Sequence, residues 1–388
     1  MNVHVKIRCL AKVVQPLLLV TFFVVLLSGC AGKTAGPAGP VFFPPPPDEP
    51  HVQFLMGIND STDIEGKSSK FSMVLTGSEQ SGLIKKIGKP YGMAARNGKL
   101  YICSVSGSQV IVIDFAKKTY DFLKGNVRGP GQLRSPIGVA LDKEGNLYVA
   151  DTARNDIVVY DAEGNYLKSM GKTSSTEEKK STTVGVAVYG DLVYVLDGRG
   201  SEIRVLDRTS GEQLRTVGSL RTEADPQNAV AFPTSMTVDP QGFIYVSSLA
   251  KSNVMKFDSD GHLIFQFGGA TDTPGGFSRP KGIAVDDDGW IYVADAGFSN
   301  VQIFMNDRKG MLGVFGTPGL PAGSLNLPTG IAVSKDNLPY FQKLAAPGFI
   351  LEKIVFVSNQ SASLINSTIS IYGIGAMQGS KKGGSEKK

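Results

Sequence analysis

Gly282-Ile283-Ala284-Val285-Asp286, then four residues, then Ile291-Tyr292-Val293-Ala294-Asp295, is the stretch whose reading decides the fold. Each run has the short, β-branched and aromatic character of a strand. Asp287-Asp288-Gly289 between them has the composition of a tight hairpin turn. The pair recurs outward in both directions. Toward the N-terminus lie Ser235-Met236-Thr237-Val238 with Ile244-Tyr245-Val246, and Gly185-Val186-Ala187-Val188 with Val193-Tyr194-Val195. Before them come Gly138-Val139-Ala140-Leu141 with Leu147-Tyr148-Val149, and Gly92-Met93-Ala94-Ala95 with Leu100-Tyr101-Ile102. Toward the C-terminus, Gly330-Ile331-Ala332-Val333 opens a sixth copy whose second strand is postponed to Val355-Phe356-Val357. The starts are 46, 47, 50, 47 and 48 residues apart.

A period of about 40–50 residues holding about four short strands defines a propeller blade. Hairpin turns such as Lys143-Glu144-Gly145-Asn146 and Ser259-Asp260-Gly261-His262 join the outer strands. Small residues on the first strand fit this reading, because innermost strands crowd the axis. The unit resembles the NHL repeat, over roughly residues 52–373. That resemblance implies an all-β, six-bladed β-propeller. The sixth unit offers three strands, at 331–333, 353–358 and 368–372. Its missing outer strand is expected from residues 52–58, so that the N-terminal strand completes the last blade and removes its exposed edge.

The N-terminus reads as an export signal. Lys6, Arg8 and Lys12 precede a charge-free apolar run at 17–27. That run is short of the about 20 residues a membrane span needs and matches the roughly 7–15 of a signal-peptide core. Leu27-Ser28-Gly29-Cys30 then resembles the lipobox of bacterial lipoproteins, which implies a lipid on Cys30 and attachment to the bacterial cell envelope. Ala31, rather than Asp, after the cysteine resembles proteins sorted to the outer membrane. The expected plan is a lipoprotein signal peptide at 1–29, a Pro/Gly-rich tether at 30–50, the propeller at 51–373 and a disordered basic tail at 374–388. Pro37, Pro40, Pro44 to Pro47 and Pro50 favour an extended spacer of about 3.1 Å per residue. With Cys9 in the signal and Cys30 lipidated, Cys103 stands alone, so no disulfide framework exists and the thiol reads as buried and inert.

The formal charge of +5 sits at the ends. Three basic residues belong to the signal, and residues 381–388 hold four Lys against one Glu, which leaves the body near neutral. Such a body has no general attraction for nucleic-acid backbones. RNA-binding NHL proteins commonly carry Arg before the third strand; here those positions are Gln109, Asp156, Glu202, Asn253 and Asn300. Nucleic acid is therefore not an expected partner. Amidating lyases of the NHL class use a histidine metal site at the axis, but beyond the signal only His51 and His262 remain, both placed away from it. Gluconolactonase-like propellers place Glu, Asp and Asn ligands at the inner-strand mouths. Here these read Lys89-Pro90-Tyr91, Ser135-Pro136-Ile137, Thr182-Thr183-Val184, Pro233-Thr234-Ser235, Pro280-Lys281-Gly282 and Pro328-Thr329-Gly330. No metal or other cofactor is expected, and no Cys-x-x-Cys-His haem site is present. Asp151, Asp197 and Asp295, with Ser104, Ser248 and Asn359 at equivalent places, read as turn formers that bond their own following backbone. Asp286 to Asp288 reads as a hairpin rather than a calcium loop.

Long, varied segments at 125–137, 172–184, 219–234, 269–281 and 317–329 fall on one face of such a propeller. The other face receives tight turns, apart from one insertion at 338–352. Long loops on a rigid scaffold are where binding usually resides. Arg134 and Arg279 lie near the channel mouth there, and Arg154, Arg199, Lys251 and Phe298 follow second strands. An arginine so placed can grip a carboxylate or phosphate bidentately. The expected function is a non-catalytic, lipid-anchored scaffold that binds an envelope protein, peptide or glycan through the loop-rich face. The alternative is a lactonase-like hydrolase or lyase with an unrecognised site.

Overall fold

In the second strands, the alternation of apolar and polar residues gives way to continuous burial. Leu147–Asp151, Ile244–Ser248 and Ile291–Asp295 are buried at every residue. A sheet sandwiched between two neighbours has no solvent face, so its middle strands read as unbroken Val, Ile and Tyr. The computed structural model describes residues 39–66, 84–173, 181–219, 225–306, 310–318, 322–360 and 367–379. The signal sequence, Cys30, residues 31–38 of the tether and residues 380–388 lie outside them.

Five four-stranded antiparallel sheets follow in simple chain order, and one five-stranded sheet closes the ring. The inner strands are Pro90–Arg96, Pro136–Leu141, Thr183–Tyr189, Pro233–Val238, Pro280–Val285 and Pro328–Ser334. Each packs on the inner strand of the next blade, and the last packs on the first. Their glycines permit this approach. A Cβ on Gly92 would lie 2.6 Å from the Ile137 carbonyl oxygen, and one on Gly330 2.0 Å from that of Tyr91. The apolar core is divided accordingly into clusters between neighbouring sheets.

The last sheet runs in the order Val41–Phe43, Val52–Ile58, Ile369–Met377, Phe349–Asn359, Pro328–Ser334. Val52 pairs with Ile374, Phe54 with Tyr372 and Ile58 with Ile369, so the expected closure by residues 52–58 is found. Three boundaries need correction. Residues 41–43, expected in the extended tether, form a fifth strand outside the closing one, with Phe43 only 4% exposed beside Phe315 and Tyr372. The flanking prolines do not prevent this, because an edge strand uses its N–H groups on one side only. The second strand begins at Phe349, which shortens the insertion. What remains includes a short helix, Leu338–Gln342, whose buried Phe341 meets Phe115 at 4.9 Å and Phe356 at 5.9 Å between ring centroids. The third strand continues to Met377, into the expected tail.

The repeated aspartate and tyrosine explain one another. Asp142, Asp239 and Asp286 accept hydrogen bonds from the hydroxyls of Tyr148, Tyr245 and Tyr292 at 3.2, 2.9 and 2.8 Å while also accepting N–H groups of their own hairpins. Burial and the adjacent carboxylate both raise the pKa of these phenols, which fixes them as donors. Between the fifth and sixth blades Lys353 adds an ion cluster. Its ammonium lies 2.5 Å from Asp286 Oδ2, 2.8 Å from Asp288 Oδ2 and 3.9 Å from the centre of the Trp290 ring. The Lys353 and Asp286 side chains are 3% and 4% exposed.

Candidate functional site

Topology places the end of each second strand beside the segment that precedes its own inner strand, on the loop-rich face. The side chains at those ends tie the two together. The Asp295 carboxylate accepts the N–H groups of Gly297 and Phe298 in the following turn, and those of Ser278 and Arg279 in the inter-blade loop, at 2.7–3.0 Å. Asp151 does the same with Ala153, Arg154, Arg134 and Ser135. Asp197 serves Arg199, Gly200, Thr182 and the Ser181 hydroxyl. Ser104, Ser248 and Asn359 bond to Gly88, Ala231 and Asn326 in the corresponding loops. The turn role is found for the three aspartates and Ser248 but not for Ser104 or Asn359, while the clamp on the inter-blade loop is common to all six. A carboxylate holding four N–H groups has its lone pairs occupied, and among the described residues no group of three His, Cys, Asp or Glu is arranged to hold a metal. His51 is exposed, and His262 faces Asp258 in an outer hairpin at 3.1 Å. Cys103 is fully buried, and burial raises its thiol pKa far above the ordinary value.

A backbone bond repeats beside each clamp. The residue before each inner strand offers its carbonyl to the N–H just beyond the second strand. Val105 donates to Lys89, Thr152 to Ser135, Gly198 to Thr182, Leu249 to Phe232, Ala296 to Arg279 and Gln360 to Leu327, all at 2.8–3.2 Å. These six residues form a rim around the axial channel. One residue inside each inner strand, Tyr91, Ile137, Val184, Thr234, Lys281 and Thr329 form a second tier that lines the channel itself. The channel holds about 420 Å³, walled largely by Ala and Val, with Arg96 toward its other end. Its described lining contains two cations and no carboxylate.

The six residues expected on this face separate into two groups. Arg134, Arg199 and Arg279 are exposed, and Phe298 is half-buried. Only their backbone N–H groups are engaged by the clamps. Arg154 and Lys251 are instead engaged within the chain. The Arg154 guanidinium grips Asp156 bidentately at 3.0 and 2.9 Å and donates to the carbonyls of Pro130 and Gln132, and the hydrogen bond to Asp156 raises its pKa. Lys251 donates to the carbonyls of Pro226, Gln227 and Ala229, around a short 3₁₀ turn. Lys281, not among the six expected residues, stands in the second tier at Pro280-Lys281-Gly282. Among the described residues its ammonium has no hydrogen-bond or ion-pair partner, and burial, helped by nearby Arg279, lowers its pKa from the ordinary lysine value.

Six blades, a ring closed by the N-terminal strand and a narrow axial channel define a six-bladed β-propeller. The NHL repeat model matches residues 133–160 and 277–304, so the second and fifth blades carry NHL repeats. Over 141 residues it is 26% identical to the protein brain tumor of Drosophila melanogaster; the match takes in 36% of this chain and 13% of that protein. A solved structure of a protein of unknown function from Bacteroides thetaiotaomicron is similar with a TM-score of 0.54 at 16% identity, covering 84% of this chain and 76% of the other. A virginiamycin B lyase of Staphylococcus aureus gives 0.48 at 12% identity, over 74% and 96% of the two chains.

Proposed function

We propose that the protein is a non-catalytic binding module of the bacterial cell envelope, held to the outer membrane by lipid on Cys30, that docks an acidic protein or peptide on the loop-rich face. One observation carries the docking: exposed Arg279 on the rim and exposed Arg134 beside the rim residue Ser135 accompany a channel whose described lining holds Lys281 and no carboxylate. Their positions are set by the backbone, so the charges are free to meet a ligand without any rearrangement of the blade. A partially enclosed mouth also strengthens their pull on an anion relative to open solvent.

The test is partner capture from native membranes. Replacing both Arg134 and Arg279 with Ala should reduce capture while leaving folding within about 0.5 kcal/mol of the parent, because neither side chain is buried. Losing a charge-paired contact at an interface costs about 2–5 kcal/mol. Changing Lys143 and Glu163, exposed in tight turns of the opposite face, should leave capture intact. The reading fails if that control loses the partner while the arginine variant keeps it. It also fails if the parent turns over an ester, lactone or lyase substrate.

A further inference from the structure

Three of the six rim residues, Lys89, Phe232 and Leu327, adopt φ of 46°, 46° and 50°, in the left-handed region that disfavours bulky side chains. Phe232 and Leu327 are nevertheless large and apolar, and they are 65% and 38% exposed, which marks the arc between them. They stand in the fourth and sixth blades, on either side of Arg279 in the fifth, and Lys281 lies one tier inward from Arg279. Strained backbone of this kind concentrates where ligands are gripped. The arc therefore reads apolar, cationic, apolar, with a second cation inside the channel.

Resting on the docking reading above, we propose that this arc receives the free carboxyl end of a polypeptide whose last side chains are apolar. The carboxylate enters between Arg279 and Lys281, and the terminal side chains lie against Phe232 and Leu327. Three features favour a chain end over other anions. The channel, at about 420 Å³, admits a chain terminus but not a folded surface. The exposed apolar pair has no use for phosphate or a wholly polar anion. A carboxylate and its own residue's side chain leave one carbon atom, which suits a cation flanked at once by apolar groups. The lowered Lys281 pKa agrees with this, because an anion seated there would relieve the desolvation that causes it.

The probes are two pools of hexapeptides ending in Leu, Val or Phe, one with free carboxylates and one amidated, offered to the full chain in detergent. Amidation should lower binding about tenfold or more, the value of one charge-assisted hydrogen bond. Lys281→Gln should do the same to the free-acid pool and remove the decline in binding as pH rises through the lysine pKa. Phe232→Gly accepts a positive φ without strain, so it should reduce free-acid binding several-fold with no loss of thermal stability. Equal binding of the two pools, no binding of the free-acid pool, or an unaffected Lys281→Gln chain overturns the proposal. Should that happen while the double arginine variant still loses its membrane partner, the docking face stands and only the carboxyl-end assignment falls. If the double variant also keeps its partner, both fall.

Discussion

Replacing Lys353 with Met tests whether the fifth and sixth blades are joined by a buried ion cluster. In the parent, Asp286 Oδ2 receives both the Lys353 ammonium and the Tyr292 hydroxyl, in a place where the side chains are almost wholly removed from water. Met fills a similar volume and can keep the packing on Trp290, so the change isolates the charge. Asp286 would then remain buried as an unpaired carboxylate, a loss that typically costs about 3–5 kcal/mol. Because Asp286 keeps the Tyr292 hydroxyl and the N–H groups of Asp288 and Trp290, the lower end applies. For a chain of this size about 3 kcal/mol corresponds to a fall in Tm of roughly 4 °C. The control is Lys335→Met, which removes a pair with Asp288 whose side chains are 44% and 51% exposed. That pair should be worth under about 1 kcal/mol and be weakened by salt. Differential scanning calorimetry at a fixed scan rate, in low and high salt, reads both. If Lys353→Met melts with the parent, or if its effect vanishes in high salt, the cluster is neither buried nor responsible for joining the blades.

Three further outcomes are expected. Phe43→Ala should cost about 3 kcal/mol in chemical denaturation, because it empties a buried ring site beside Phe315 and Tyr372; a silent change would show that the outermost strand is not seated. Lys281→Met should raise Tm at neutral pH. The folded state lowers this amine's pKa, so burial opposes its charged form, and parental stability should rise as pH climbs from the folded toward the unfolded value; the Met chain should lack that rise. Cys30→Ser should stop incorporation of labelled fatty acid and release the protein from membranes, and normal anchoring of this variant would refute lipidation.

Periodicity made the ring legible. Gly or Ser as the third residue of each inner strand, alanines beside it and an aromatic in each second strand recur because every blade solves the same crowding at the axis, and the strand shortage in the sixth unit pointed to residues 52–58. Val41-Phe42-Phe43 was hidden by its proline neighbours, which signal extended chain without saying whether a sheet edge lies within reach. The internal partners of Arg154 and Lys251 were hidden for a related reason: most of them are backbone carbonyls, which carry no residue signature. Lys281 could have been found. In the six aligned mouths it is the one charged residue of its tier, but an isolated cation carries no ligand pattern of its own.

The rim bonds carry a consequence for how such a protein can change. Each rim residue is fastened through its backbone, by its carbonyl and, at Ser135, Thr182, Phe232 and Arg279, also by its N–H, so the fastening is indifferent to the side chain. Lys, Ser, Thr, Phe, Arg and Leu occupy the six sockets around one molecule, and all six make the same bond. A lineage can therefore rewrite what the mouth recognises one socket at a time, leaving the closure of the ring untouched and exploring new partners from a scaffold that never has to refold.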